Sequence, residues 1–304
     1  MSNPLQIFAI YLQLTLASLI GLGAILFVGI VVTVEQYSHG TRGGLVSCAT
    51  PTNCFLLILI ISIALYFIGE YFSLGSGGES AVASITRTCG LSIAECSYVW
   101  FNWLRSADVI RLNLSPKVMN VAKWVLNTTP VPCIVTISCL LMPDSIATTR
   151  ATVYLTSIGF SAFLTLALDV LFATGFYRQI HNMRHRSMAV PPEYAVIASF
   201  GFAASILTLI GAVLLLPFIV FYVLYLQTGR LDFGAASLVS YCGCSVALFC
   251  MVAALLVMKL QLLRPGWFTG SRRGVKQSVG DYFGSAESKI VTRNEAAMGN
   301  DIKT

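Results

Sequence analysis

The chain has 304 residues, of which 56% are apolar and only 11% are charged, and its mean hydropathy is +0.79. This composition excludes an ordinary soluble domain and predicts a polytopic membrane protein. The net charge of +6 does not indicate nucleic-acid binding, because the basic residues fall mostly in connections where they would meet anionic lipid at the cytoplasmic face.

Seven apolar segments follow one another, each near the length that a tilted helix needs to cross a bilayer. They predict an all-α, seven-helix transmembrane domain in residues 1–263, followed by a basic, disordered cytoplasmic tail in residues 264–304. The predicted spans are residues 7–34, 55–74, 81–105, 118–142, 152–177, 195–226 and 234–262. Six spans would follow if segment 118–142, with Lys123, Pro130 and Pro132, did not insert.

The positions of Lys and Arg predict the orientation of these spans. With the N-terminus outside, all but three of the 19 Lys and Arg residues lie on the inner side, and the exceptions are Arg87, Arg150 and Arg230. An odd number of spans then places the C-terminus in the cytoplasm. We expect such a protein in the plasma membrane.

Small residues recur along one face of the first span. Ala17, Gly21 and Gly29 have the spacing that lets membrane helices approach closely. The spacing is compatible with a homodimer, although it is common in membrane helices generally.

The third span is the one long apolar segment that also carries a row of polar residues. The row comprises Ser84, Thr88, Glu95, Tyr98, Asn102 and Arg105, spaced so that a helix places them on one face. An ionised Glu95 facing hydrocarbon would be costly, so either the face is turned inward or Glu95 is protonated. The row is therefore either a ligand or ion site or the internal polar seam of a helix bundle.

Acidic residues at the predicted outer ends of the second and third spans allow two interpretations. Glu70 and Glu79 balance the charge of Arg87 locally, or they line an outward vestibule together with Arg87 and Glu95.

In the fifth span, Asp169 is a lone acid within an apolar run. Such an acid is a candidate functional group, with a hydrogen bond to a neighbouring helix as the ordinary alternative. The sequence thus nominates Glu95, Tyr98, Asn102 and Asp169 as ligand-binding residues.

A second group of charged residues lies at the predicted inner ends of the third and fifth spans. We expect it to form a surface for a cytoplasmic partner; its members are Arg105, Asp108, Arg111, Arg178, Arg184 and Arg186. Ser278 follows a basic cluster in the tail and is a candidate phosphorylation site, where added negative charge would weaken attraction to the membrane.

Residues that intramembrane enzymes require are missing from the spans. The three histidines, His39, His181 and His185, lie outside them, which argues against a haem carrier or a zinc hydrolase. There is no Walker A or G-x-S-x-G sequence, and Lys259 lies too near the inner end of the seventh span for a retinal site. We therefore expect no enzyme activity, no cofactor and no metal.

The arrangement resembles G-protein-coupled receptors in broad form. The resemblance rests on seven spans, Arg105 at the inner end of the third, Trp124 followed by a proline in the fourth, and Pro217 in the outer half of the sixth. The chain departs from the family where W-L-R replaces the usual D/E-R-Y and where no N-P-x-x-Y follows in the seventh span. The resemblance implies a small-ligand receptor that signals to a heterotrimeric G protein or another cytoplasmic partner.

Three functions remain open at this point. In a receptor, Glu95, Tyr98 and Asp169 would face a small ligand. In a small secondary transporter or channel, the same acids would bind a cation or proton, although the absence of an internal repeat weighs against a transporter of duplicated halves. The third is a structural membrane protein without a ligand.

Overall fold

The computed structural model of the protein describes residues 4–39, 50–75, 80–113, 115–142, 147–185 and 192–263. Within these ranges the chain is helical and contains no strand, which confirms the predicted all-α class. The helices are α1 Pro4–His39, α2 Pro51–Gly75, α3 Ala81–Asn113, α4 Pro116–Thr128, α5 Pro130–Ser138, α6 Ala147–His185, α7 Pro192–Thr228 and α8 Leu231–Leu263, with a 3-10 turn at Cys139–Leu141. The described residues up to 260 belong to one compact unit, which does not include residues 261–263 at the end of α8.

In the part of the chain that the structure describes, five helical segments are long and apolar enough to cross a membrane: Pro4–Val34, Pro51–Gly75, Thr152–Met183, Ala195–Tyr225 and Leu231–Leu263. Large apolar side chains such as Ile25, Phe163 and Leu216 are exposed on them, as expected of a surface that contacts lipid. The fold is therefore compatible with a multi-pass integral membrane protein. The remaining helices fall outside these limits, because α3 carries the polar row and because α4 and α5 have only 13 and 9 residues.

Helices α2 and α3 pack so closely that their backbones touch. A β-carbon at Gly69 would lie 2.6 Å from the backbone nitrogen of Arg87, and one at Gly90 would lie 2.7 Å from that of Tyr66. Real β-carbons do not come this near to backbone atoms, so glycine is required at both positions. Small residues permit this kind of helix contact in membranes, and the contact fixes α3 against α2.

The two prolines of the predicted fourth span interrupt its helix. The chain leaves α4 at Thr128, turns at Thr129 and begins α5 at Pro130, because a proline ring removes a backbone donor and clashes with the preceding turn. The carbonyl of Pro132 accepts hydrogen bonds from the hydroxyls of Thr136, at 2.8 Å, and Ser157 of α6, at 2.7 Å. These hydroxyls satisfy the backbone near the break and tie α5 to α6.

Helix α8 is held by polar contacts with α1 and α7. The Gln13 amide donates to Ser245 Oγ over 2.9 Å, and Ser237 Oγ lies 3.4 Å from the carbonyl oxygen of Phe218. Among the described side chains of α7, only Val196 and Ala204 are buried. Helix α7 thus lies at the periphery of the unit, against α6 and α8.

Candidate functional site

The polar row of α3 is turned mainly into the protein. This is the inward-facing arrangement that was one of the two alternatives for accommodating Glu95. Thr88, Tyr98 and Asn102 are buried, and Ser84, Glu95 and Arg105 are partly buried. Tyr98 and Asn102 are four residues apart, so they occupy one helical face, and both reach the same residue of α6.

That residue is Asp169, which is 2% exposed. The Tyr98 hydroxyl donates to Asp169 Oδ2 over 2.8 Å, and the Asn102 amide donates to Asp169 Oδ1 over 3.3 Å. Each carboxylate oxygen therefore has a donor from α3. Hydrogen bonds to a carboxylate are stronger than neutral ones, so this triad of Tyr98, Asn102 and Asp169 joins α3 firmly to α6.

Arg105 extends the triad by one further hydrogen bond. Its Nη2 donates to Asn102 Oδ1 over 2.9 Å, and its Nη1 lies 3.0 Å from the Met258 sulfur of α8. The guanidinium carbon is 5.5 Å from the centre of the Phe101 ring, within the range of a cation–π contact. Asn102 thus donates to an acid and accepts from a base, and it couples Asp169 to Arg105.

A cavity of about 150 Å³ adjoins the triad between α6 and α7. Arg105 and Asp169 line it, together with Ser205 and aromatic residues that include Phe172 and Phe202. The guanidinium also contacts α7, since a β-carbon at Gly201 would lie 3.0 Å from Arg105 Nη2. The polar network of α3 therefore borders a space that a small group can enter.

Glu95, the remaining predicted ligand-binding residue, makes a separate contact. Its Oε2 accepts a 2.6 Å hydrogen bond from the Ser161 hydroxyl of α6. The neighbouring Cys96 brings its sulfur to 3.2 Å from that of Cys133 on α5. The predicted set is thus divided between the triad and a second α3–α6 contact. Ser161 could not be predicted as a partner, because serine is common in helices.

At the opposite end of α3, Arg87 Nε lies 3.5 Å from Glu70 Oε1. The two groups form an ion pair, although the Nε–H of Arg87 has no hydrogen bond of good geometry. Glu70 is buried, with Tyr66 and Tyr241 around it. This pairing agrees with the local charge-balance interpretation, while Glu79 lies outside the described residues.

The predicted partner surface is described only in part. Arg111 and Arg178 are exposed near the ends of α3 and α6, whereas the Arg105 guanidinium is turned inward to Asn102. Asp108 and Arg184 lie within helices whose side chains are not described at these positions, and Arg186 and Ser278 lie outside the described residues. Among the described residues, no three His, Cys, Asp or Glu side chains are placed to hold a metal.

Comparison of the chain with models of known protein families, with curated proteins and with solved structures gives no match.

Proposed function

We propose that this chain is a receptor-like, seven-helix membrane protein that senses a small ligand and signals to a cytoplasmic partner. Its proposed place is the plasma membrane, with the N-terminus outside and the C-terminus in the cytoplasm. The observation that carries the proposal is the hydrogen-bonded path from Tyr98 through Asp169 and Asn102 to Arg105, beside a cavity.

Two further crossings bring the five apolar helices to seven. Arg87 and Arg105 are 18 positions apart in α3, which corresponds to about 27 Å along a helix and is close to the thickness of a hydrocarbon core. The two guanidinium groups can therefore lie at opposite boundaries, with the polar row facing inward between them. The α4–α5 pair and its 3-10 turn supply the other crossing, interrupted at Thr129.

The path has properties that suit a switch. A receptor needs an element with two arrangements that a ligand biases, and a buried polar network has few intermediate states because an unpaired polar group is costly. Breaking the contacts of Asp169 would remove two of the hydrogen bonds between α6 and α3 and leave the Asn102 amide, which also binds Arg105, free to reorient. A ligand in the adjoining cavity is placed to compete for these contacts.

The test measures signalling and transport separately on the same protein. Wild type, Asp169→Asn and Thr174→Ala are reconstituted in proteoliposomes, where Thr174 is the control because its hydroxyl bonds to Val170 of its own helix. Guanine-nucleotide exchange on a panel of heterotrimeric G proteins is measured first, and proton and solute flux second. We expect exchange to change several-fold in Asp169→Asn and to stay at the wild-type level in Thr174→Ala.

Flux that Asp169→Asn abolishes, without any exchange activity, would overturn the receptor proposal in favour of a transporter. Neither exchange nor flux in wild type would favour a structural protein.

A further inference from the structure

The cavity beside Arg105 offers hydrogen-bond donors that the protein itself does not use. A guanidinium has five N–H groups. Nη2 has a strong acceptor in Asn102, Nη1 faces only a thioether sulfur, which is a weak acceptor, and Nε is buried without a hydrogen-bond partner. Among the described residues, the guanidinium therefore has one strong acceptor for its five N–H groups, and Nη1 is the group left with only a weak one.

Asp169 also lines the cavity, but its oxygens already accept from Tyr98 and Asn102. Ser205 uses its hydroxyl hydrogen on the Gly201 carbonyl over 3.0 Å. The polar need that remains is that of Arg105. A ligand that satisfies it must bring oxygen acceptors, and a carboxylate or phosphate can take two guanidinium N–H groups at once.

The rest of the cavity wall is apolar and aromatic. Phe172 and Phe176 are buried on the α6 side, whereas Tyr177 and Phe202 are 71% and 60% exposed. These two exposed rings stand on the outer surfaces of α6 and α7, so the cavity opens sideways between these helices. In a bilayer such an opening faces lipid.

The position of Arg105 along α3 is also consistent with a cavity that opens to lipid. Arg105 lies 24 positions after the first residue of α3, about 36 Å along the helix; with α3 crossing the bilayer as proposed above, this length would bring Arg105 to the boundary where anionic head groups are found. The volume of about 150 Å³ matches cavities that hold a molecule the size of benzene. It accommodates a head group and the first part of a chain, but not a whole lipid.

We propose that this cavity binds the anionic head group of a membrane-dissolved amphiphile, a carboxylate or phosphate, whose apolar chain leaves between α6 and α7. The head group pairs with Arg105, and the chain lies along Phe202 and Tyr177. Its role as the signal of the receptor and the depth of Arg105 in the bilayer rest on the proposed function, whereas the unpaired N–H groups of Arg105 and the cavity beside them do not.

The experiment measures binding of radiolabelled amphiphiles to the purified full chain in nanodiscs of neutral lipid. Oleate carries a carboxylate, phosphatidic acid carries a phosphate, and oleyl alcohol is the uncharged probe. Arg105→Gln removes the charge, and Ser205→Phe fills the cavity while leaving Arg105 in place. Arg230→Gln is the matched control for loss of an arginine, because Arg230 is exposed far along the chain in the turn before α8.

We expect saturable binding of one oleate or one phosphatidic acid per chain, weakened at least tenfold in both Arg105→Gln and Ser205→Phe and unchanged in Arg230→Gln. The probe that shows this dependence identifies the head group. If Arg105→Gln does not fold, Ser205→Phe alone decides.

Equal binding of oleyl alcohol, or equal binding by all variants, would overturn the proposal. Either result would leave the receptor proposal intact, because nucleotide exchange is measured without an added amphiphile. Conversely, Arg105-dependent binding without exchange would support the site and contradict the receptor.

Discussion

Tyr98 and Asp169 are 71 positions apart in the chain, yet the phenol of one donates a 2.8 Å hydrogen bond to the carboxylate of the other. This hydrogen bond is the shortest of the three in the path from Tyr98 through Asp169 and Asn102 to Arg105. Together with the Asn102–Asp169 and Ser161–Glu95 hydrogen bonds, it joins two long helices that are far apart in the sequence.

Tyr98→Phe removes that hydroxyl and little else. We expect the free energy of unfolding to fall by roughly 1–2 kcal/mol, because a buried carboxylate loses one of its donors. Unfolding in mixed detergent micelles measures the change. Tyr177→Phe is the control, since the ring of Tyr177 is exposed and stacks on His181.

The same pair is suited to a double-mutant cycle. Combining Tyr98→Phe with Asp169→Asn should cost less than the sum of the single changes, because both remove the same contact. Strictly additive costs would show that the two groups are not coupled.

Gly69→Ala tests the backbone contact between α2 and α3. The new methyl group would meet the Arg87 backbone at 2.6 Å, and we expect a loss of about 1–3 kcal/mol from overpacking. Thermal stability, followed by size-exclusion chromatography of heated samples, gives the measurement. Gly159→Ala is the control because nothing lies within 4 Å of its position, and an equal loss in both variants would contradict the close packing.

Cys96 and Cys133 should form a disulfide on oxidation, since their sulfurs are 3.2 Å apart. Diamide would accept the two electrons and two protons that the thiols lose. Mass spectrometry of the digested protein should find the Cys96 and Cys133 peptides joined in wild type and separate in Cys133→Ser. Failure to join them under conditions that oxidise other thiols would contradict the placement of α5 beside α3.

The proposed orientation can be checked on intact cells. An epitope inserted after Gly229, in the turn between α7 and α8, should bind antibody on intact cells. A C-terminal epitope should bind antibody only once the cells have been permeabilised. The reverse pattern would invert the proposed topology. Gly229 has a φ of +66° and nothing within 4 Å of its position, so an insertion after it should disturb packing little.

Composition and periodicity predicted the helical class and the inward polar face of α3, because both depend on local spacing. The sequence placed Tyr98, Asn102 and Asp169 in one predicted ligand-binding set, but it did not predict that the first two bind the third. Sequence cannot give the rotation of one helix against another, and this rotation places Glu95 on Ser161 rather than in the triad. The same limit applies to Arg105, which was predicted at an inner partner surface but points toward Asn102 and Met258.

The cavity could not be predicted either. It exists because α7 places Gly201 and Ala198 beside Arg105, and small residues in an apolar helix carry no sign of what faces them. The Cys96–Cys133 contact could not be predicted for a similar reason. It depends on the break at Thr129, which sets the position of α5 relative to α3.

The backbone contacts at Gly69 and Gly90 hold α3 against α2 near Arg87. Both belong to one crossing near Arg87, with Arg105 about 27 Å further along the helix. A tilt of about 5° at the crossing would move the Arg105 end by about 2 Å over that length, comparable to the reach of one hydrogen bond. A small change in the orientation of α3 near Glu70 would thus be large enough, at Arg105, to make or break a polar contact.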